Sequence, residues 1–207
     1  MQIAVFGATG GTGQQVVQQA LAAGHSVSAL VRDPSRLAAQ DERLTVVEGD
    51  VLDRAKVDET VSGADAVIVS LGNTSNNPDY IVSRGTEVIV DAMTAAGIPM
   101  RLIVVSSLGV GESRDQVPFA FKMLMNTVLK KAMDDKERQE ALVKASGFDW
   151  IIVRPGGLTN GPATGSYKAG VDVKLTAGQV SRADVAAFVL LQLDDDTYLH
   201  QAPAITG

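Results

Sequence analysis

Short apolar runs alternate along the whole chain with longer stretches whose apolar residues recur at helical spacing. Gln2–Phe6, Ser26–Arg32, Leu44–Glu48, Asp65–Ser70, Arg101–Ser106 and Asp149–Arg154 are rich in Val and Ile, and most are closed by Gly, Pro or Asp. They read as strands. Gly11–Ala23, Arg54–Ser62, Tyr80–Ala96 and Ser181–Leu193 read as helices, and one long helical region is expected from about Pro118 to Ser146. Gly24, Gly97 and Gly147 stop three of these helices. Ala204–Thr206 is expected as an edge strand.

The predicted strands are apolar throughout instead of alternating, so both of their faces must be covered. Strands and helices follow one another in turn, and right-handed crossovers then give a parallel sheet between two helical layers. The pattern therefore predicts an α/β fold: a doubly wound (Rossmann) parallel sheet of six to seven strands with helices on both faces. Residues 1–207 form one domain, with a small substrate-side region around 107–133 and 156–180. The glycine-rich stretch Gly156–Gly170 lies at the carboxyl end of a strand, where such sheets bind ligands.

Composition narrows the chemistry. Hydrophobic residues make up 45% of the 207, near the globular norm. A formal net charge of −6 argues against nucleic acid or an anionic membrane as partner. With no cysteine, disulfides, thiolate metal sites and a cysteine nucleophile are excluded. The two histidines, His25 and His200, are far apart, and no metal site is expected. No apolar run is long enough to span a bilayer, and no secretory signal is visible, so a cytoplasmic protein is expected.

The start of the chain, MQIAVFGATGGTG, carries the strongest motif. Gly7, Gly10 and Gly13 follow a strand and open a helix, the context that a dinucleotide fingerprint requires. The first glycine permits the tight turn, the second lets the backbone approach a pyrophosphate, and the third lets helix and strand pack closely. Gly11 lies within this loop, Thr9 and Thr12 add hydroxyl donors, and the helix N-terminus favours the anion. This GxxGxxG spacing resembles that of atypical and extended short-chain dehydrogenases/reductases.

An NAD-selective site carries an acidic residue at the end of the second strand, to bind the ribose hydroxyls. Arg32 stands there, in LVRDPSR, with Arg36 four residues on. Two guanidinium groups suit a 2′-phosphate, so NADPH (NADP+) is the expected cofactor rather than NADH. Asp33 follows Arg32 and is expected to point away. Asp50 is placed to contact the adenine amine, with Val51 lining the ring. Leu71, Gly72 and Asn73 carry the chain under the adenine ribose and pyrophosphate.

The Tyr-x-x-x-Lys pair of ordinary short-chain dehydrogenases is missing. None of Tyr80, Tyr167 and Tyr198 precedes a lysine by four residues. What remains is Ser106 and Ser107 at the end of the fifth strand, facing the nicotinamide, and Lys136 in the long helix, within reach of the nicotinamide ribose. Pro155, Gly156, Gly157 and Leu158 offer backbone groups to the carboxamide. The stripe Phe121, Leu124, Met125, Val128, Leu129, Ala132, Met133 reads first as core, and its methionines also suit the wall of a flat apolar pocket. Asp134–Arg138 and Glu140–Lys144 are expected as i,i+4 pairs. Hydride transfer without a positioned acid favours acceptors whose reduced form is already stabilised: flavins, quinones and extended conjugated pyrroles.

FGATGGTG, LVRDPSRL, GDVLD, DAVIVSLG, the Ser-Ser pair and SGFDWIIVRPGGL fall in one order over nearly the whole chain. In this the sequence resembles the NmrA-like atypical short-chain reductases, and most closely the biliverdin IXβ reductase/flavin reductase family. The resemblance implies a monomeric, NADPH-dependent reductase of planar small molecules such as FMN, riboflavin and some biliverdins. It also implies that Ser107 is the substrate-side serine. The vertebrate enzymes carry histidine where this chain has Gly157 and Lys136, and both changes touch the nicotinamide and substrate rim. SRADVA, residues 181–186, matches the family as a helix start. Two alternatives stand beside this reading: an NADP(H)-binding redox sensor without turnover, and an NADPH-dependent quinone reductase.

Overall fold

The computed structural model describes residues 1–73, 79–171 and 178–207, without the side chains of residues 120 and 121. Six strands carry the expected apolar runs: β1 (Gln2–Phe6), β2 (Ser26–Val31), β3 (Leu44–Glu48), β4 (Ala66–Val69), β5 (Arg101–Val105) and β6 (Asp149–Pro155). Four shorter strands follow: β7 (Gly157–Thr159), β8 (Lys168–Gly170), β9 (Gln179–Ser181) and β10 (Ala204–Thr206). The helices are α1 (Gly11–Ala22), α2 (Arg54–Val61), α3 (Ile81–Ala96), α4 (Phe119–Asn126), α5 (Lys130–Ala145) and α6 (Arg182–Leu191).

The main sheet has the order β3-β2-β1-β4-β5-β6-β10-β8. Every neighbouring pair in it is parallel except β10 and β8. From β1 the chain winds outward through β2 and β3, then returns to the other side of β1 at β4. The switch point between β1 and β4 opens a crevice at the carboxyl ends of the strands. The fold is thus the doubly wound α/β arrangement, with eight strands in the main sheet. Among the described residues, no helix is long and apolar enough to cross a membrane.

β1 shows why its sequence is apolar at every position after Gln2. Ile3 and Val5 face a layer with Val16 and Val17 of α1 and Val185 and Val189 of α6. Ala4 and Phe6 face the opposite layer, with Val57 of α2, Val82 and Ile89 of α3 and Val143 of α5. These four of the five β1 residues are fully buried, and each large apolar side chain removed from water contributes roughly 1.5–3 kcal/mol.

Three expectations are corrected. Ala204–Thr206 is not an edge strand: β10 lies between β6 and β8, and it is Lys168–Gly170 that forms the edge. β7 falls in the glycine-rich stretch Gly156–Gly170, where no strand was expected, and pairs with β9 in a separate two-stranded sheet. The region 118–146 is two helices, because Thr127 leaves helical geometry at φ −118°, ψ −89°. The weak helix formers Asn126, Thr127 and Val128 stand at the break, and the Thr127 hydroxyl donates back to the Met123 carbonyl at 2.8 Å.

The apolar stripe divides at this break. Met125 and Met133 enter a third small core with Leu108, Val110, Val117 and Ala204, and Leu129 packs against it. Leu124 and Val128 stay exposed. The Phe121 side chain lies outside the described ones, as do residues 172–177 of the expected substrate-side region.

Candidate functional site

The turn after β1 is built around missing side chains. Gly7 has φ +85°, and a Cβ there would lie 2.6 Å from the Ser70 carbonyl oxygen. A Cβ on Gly13 would lie 2.1 Å from the Gly7 carbonyl oxygen. The first strand, the start of α1 and the end of β4 therefore close on one another only with glycine at these positions. Gly10 is the N-cap of α1; no side chain caps the helix, and its first turn holds no acidic residue. The unbonded amides of a helix start require a partner, and here they border a cavity of about 590 Å³. That volume lies within the range of small-molecule sites.

The cavity follows the carboxyl ends of the strands. It brings together Gly7, Thr9, Gly10, Gly11 and Thr12; Arg32 and Arg36; Asp50 and Val51; Leu71, Gly72 and Asn73; Ser106, Ser107 and Lys136; and Pro155, Gly156 and Leu158. Two of the expected residues are not in its lining. Gly13 sits beneath the turn, and Gly157 pairs with β9, donating its N–H to the Gly178 carbonyl at 2.9 Å. The described lining carries four cationic side chains, Arg32, Arg36, Lys136 and Arg182, against the single carboxylate of Asp50. In a chain of net charge −6, this concentration of positive charge suits a polyanion. An uncapped helix start, a glycine cradle that any Cβ would fill and four cations fit a dinucleotide.

At one end, Asp33 does not compete with the two arginines. Its carboxylate accepts from the Ser35 amide at 3.0 Å and the Ser35 hydroxyl at 2.6 Å, capping the short turn Pro34–Arg36. Asp50 likewise holds its own turn, accepting from the Leu52 amide at 2.9 Å.

At the other end, α5 organises the site. Asp135 is fully buried and accepts from the amides of Val82 and Ser83 at 3.0 and 2.8 Å, and from the Asn73 side-chain amide at 3.1 Å. It thus caps α3 from a different helix. The local N-cap residue, Tyr80, is left-handed at φ 59° and supplies no side-chain cap. Lys136, next along, donates from Nζ to the Val105 carbonyl at 3.2 Å. Burial pushes this ammonium down to about 8, against the upward pull of Glu140 and Asp135.

One turn on, Glu140 is 2% exposed and Arg154 4%. Arg154 donates to Glu140 through Nε at 3.0 Å and through Nη2, and also to Glu112 at 2.6 Å. The side-chain hydrogen bond from Arg154 leads the causes that hold the Glu112 carboxyl down at about 2. Glu140 also accepts from the Ser106 hydroxyl at 2.6 Å, so that proton is committed inward. Ser107 is less buried, and its hydroxyl donates to the Leu108 carbonyl at 3.2 Å.

None of the three tyrosines lines the cavity. Tyr80 lies under the Arg138 guanidinium, 4.1 Å from ring centroid to carbon. Tyr167 and Tyr198 pack against Phe188. Sequence reading missed Arg182, which lines the cavity from the start of α6; the signal was the arginine inside SRADVA, read only as a helix start. It also missed Glu140 and Asp135, whose partners are remote in sequence. Among the described residues, no group of His, Asp and Glu could hold a metal ion.

Comparison with known proteins agrees with this geometry. The sequence profile of a family described as NAD(P)H-binding matches residues 7–196. An uncharacterised chloroplastic protein of Arabidopsis thaliana is 33% identical over 203 residues, covering 92% of this chain and 72% of its own. A (4-alkanoyl-5-oxo-2,5-dihydrofuran-3-yl)methyl phosphate reductase of Streptomyces griseus is 31% identical, covering 99% and 67%. Among solved structures, ChuY, an anaerobilin reductase of Escherichia coli O157:H7, superposes with a TM-score of 0.84 at 27% identity, covering 100% of this chain and 97% of its own.

Proposed function

The chain belongs to the NAD(P)H-binding family, and from that premise we propose that it is an NADPH-dependent reductase of planar, conjugated acceptors, a flavin such as FMN or riboflavin or a biliverdin-type tetrapyrrole. The observation that carries the proposal is the reaction end of the cavity. It presents Ser106, Ser107 and Lys136 and no tyrosine, so an acceptor that needs a strong, positioned acid is poorly served there. Two of the similar proteins named above are reductases, which supports the reaction class.

In this reading the start of α1 binds the pyrophosphate, and Arg32 and Arg36 bind the 2′-phosphate. Asp50 and Val51 hold the adenine, and Lys136 holds the nicotinamide ribose. When bound, the reduced nicotinamide supplies a hydride. Ser107 orients the acceptor through its hydroxyl, while Glu140 fixes Ser106 behind it. Leu158 in the lining, with the exposed Phe119 and Met123 of α4 and Val128 just after it, would offer an apolar surface to a flat ring system. Water supplies the proton, the protein acts as a monomer, and the cytoplasm is its setting.

The test is NADPH oxidation, followed by loss of absorbance at about 340 nm, with FMN and separately with a biliverdin, and with NADH as control donor. Turnover with NADPH supports the proposal, and the faster acceptor names the preferred class. Tight NADPH binding with no turnover of either acceptor overturns it in favour of an NADP(H)-binding sensor.

A further inference from the structure

Arg182 is the first residue of α6, and three observations place its guanidinium beside the start of α1. It lines the same cavity as the glycine turn. Its Cδ and Nε each stand 2.7 Å from where a Cβ on Gly11 would lie. Its Nη1 donates to the Asn160 side-chain oxygen at 2.7 Å, which anchors the far end of the side chain.

The backbone beneath it is firmly anchored. The Ser181 hydroxyl caps α6, accepting from the Asp184 amide at 2.9 Å. Asp184, 2% exposed, accepts in turn from the amides of Thr164 and Gly165, both at 2.8 Å. Gln19 of α1 donates to the Ala183 carbonyl at 3.0 Å, tying α6 to α1. A cation so fixed over an uncapped helix start has a clear electrostatic complement: a phosphate group held between the two.

We propose that Arg182 is a ligand of the cofactor's pyrophosphate, closing over it from the side opposite the α1 amides. Arg32 and Arg36 stand at the end of β2, so the 2′-phosphate has its own cations, and Arg182 lies at Gly11, the residue that opens α1. The glycine at position 11 acquires a reason it otherwise lacks: it leaves room for the Arg182 side chain. The inference rests on the dinucleotide reading of the cavity but not on any particular acceptor.

The experiment is a fluorescence titration of NADPH and of NADH onto the full-length protein at fixed salt. Wild type is compared with Arg182→Ala, Arg182→Lys, Gly11→Ala and the Gly11→Ala/Arg182→Ala double variant. The pyrophosphate is common to both dinucleotides, so Arg182→Ala is expected to weaken both by the same factor. Loss of hydrogen bonds to a charged group gives about 10- to 100-fold. Arg182→Lys keeps the charge without the fork and is expected to lose less.

Gly11→Ala displaces the arginine and is expected to weaken binding similarly, yet to add less than about threefold in the Arg182→Ala background, since the two substitutions remove one interaction. Unchanged affinity in Arg182→Ala overturns the proposal, as does a loss confined to NADPH. If Arg182→Ala fails to fold, Gly11→Ala decides, because its added methyl meets only a flexible side chain: undiminished affinity there overturns the proposal. Failure of the reductase reading would appear instead as absent turnover with these binding results intact.

Discussion

Glu140→Ala tests whether the buried ion pair behind the cavity is what keeps its reaction end in shape. The substitution removes the acceptor of two Arg154 hydrogen bonds and of the Ser106 hydroxyl, and leaves a guanidinium 4% exposed without its main counter-charge. Breaking a buried pair from one side typically costs about 3–5 kcal/mol. Glu112 stays 2.6 Å from Arg154, but its own side chain is 72% exposed and gives partial compensation. The lower end, about 3 kcal/mol, is therefore expected. A domain of this size has about 5–15 kcal/mol in total, so the variant folds but unfolds about 6–12 °C lower.

Urea unfolding followed by the fluorescence of Trp150, the chain's one tryptophan, measures the loss directly, with an unchanged denaturant slope. A companion variant, Glu140→Leu with Arg154→Met, removes both charges and keeps the volume, and it is expected to recover most of the stability. A loss below about 1 kcal/mol in Glu140→Ala, the range of surface ion pairs, would refute the reasoning. So would a double variant as unstable as the single one, since the cost would then not come from an uncompensated charge.

Arg32→Ala is expected to weaken NADPH far more than NADH in direct binding measurements; equal loss for both removes Arg32 from the 2′-phosphate. Ser107→Ala is expected to lower turnover several-fold while NADPH affinity holds, and unchanged kinetics would return Ser107 to a structural role. Lys136 titrates at about 8 in the folded chain against an ordinary 10.5, because burial disfavours its charge. The unfolded chain then binds the extra proton between those values, so this residue's contribution makes stability rise with pH across that window. Its ammonium is lost over the same window, so NADPH affinity is expected to fall above about pH 8 in wild type and to stay flat in Lys136→Met. A wild-type profile flat to about pH 10 would show that the ammonium does not touch the cofactor.

How far the sequence carries depends on the range of the interaction. β1 was legible because burial on both faces leaves a local mark, an unbroken apolar run. The glycine turn was legible because Gly7, Gly10 and Gly13 are demanded by contacts within one strand–turn–helix unit. β10 was misread because three residues cannot announce that β8 will pair on their far side. The break at Thr127 was missed because the apolar stripe continues through it: Met125 and Met133 reach the same small core from two helices, so periodicity alone joined them.

On α5, spacing was only a partial guide. The i,i+4 rule expected Asp134 with Arg138 and Glu140 with Lys144. Instead, Asp134 pairs with Lys130 at 3.5 Å, and Arg138 lies over the Tyr80 ring. The expected Glu140–Lys144 pair does form, at 3.8 Å, but Glu140 turns mainly inward to Arg154. The charged run that reads as a solvated face is partly an interior one: Asp135, Gln139 and Glu140 are all nearly or fully buried. Burying such groups is costly unless each meets a partner. The partners lie just past β5, on β6, on α3 and in the Asn73 loop, up to 62 residues away, where no window of sequence can see them. Of those partners, Asn73 and Ser106 line the cavity itself. The polar face of α5 is therefore better explained by the site it assembles than by contact with water, and a helix whose charges find remote, matched partners behind a cleft is where positioning residues should be sought in similar chains.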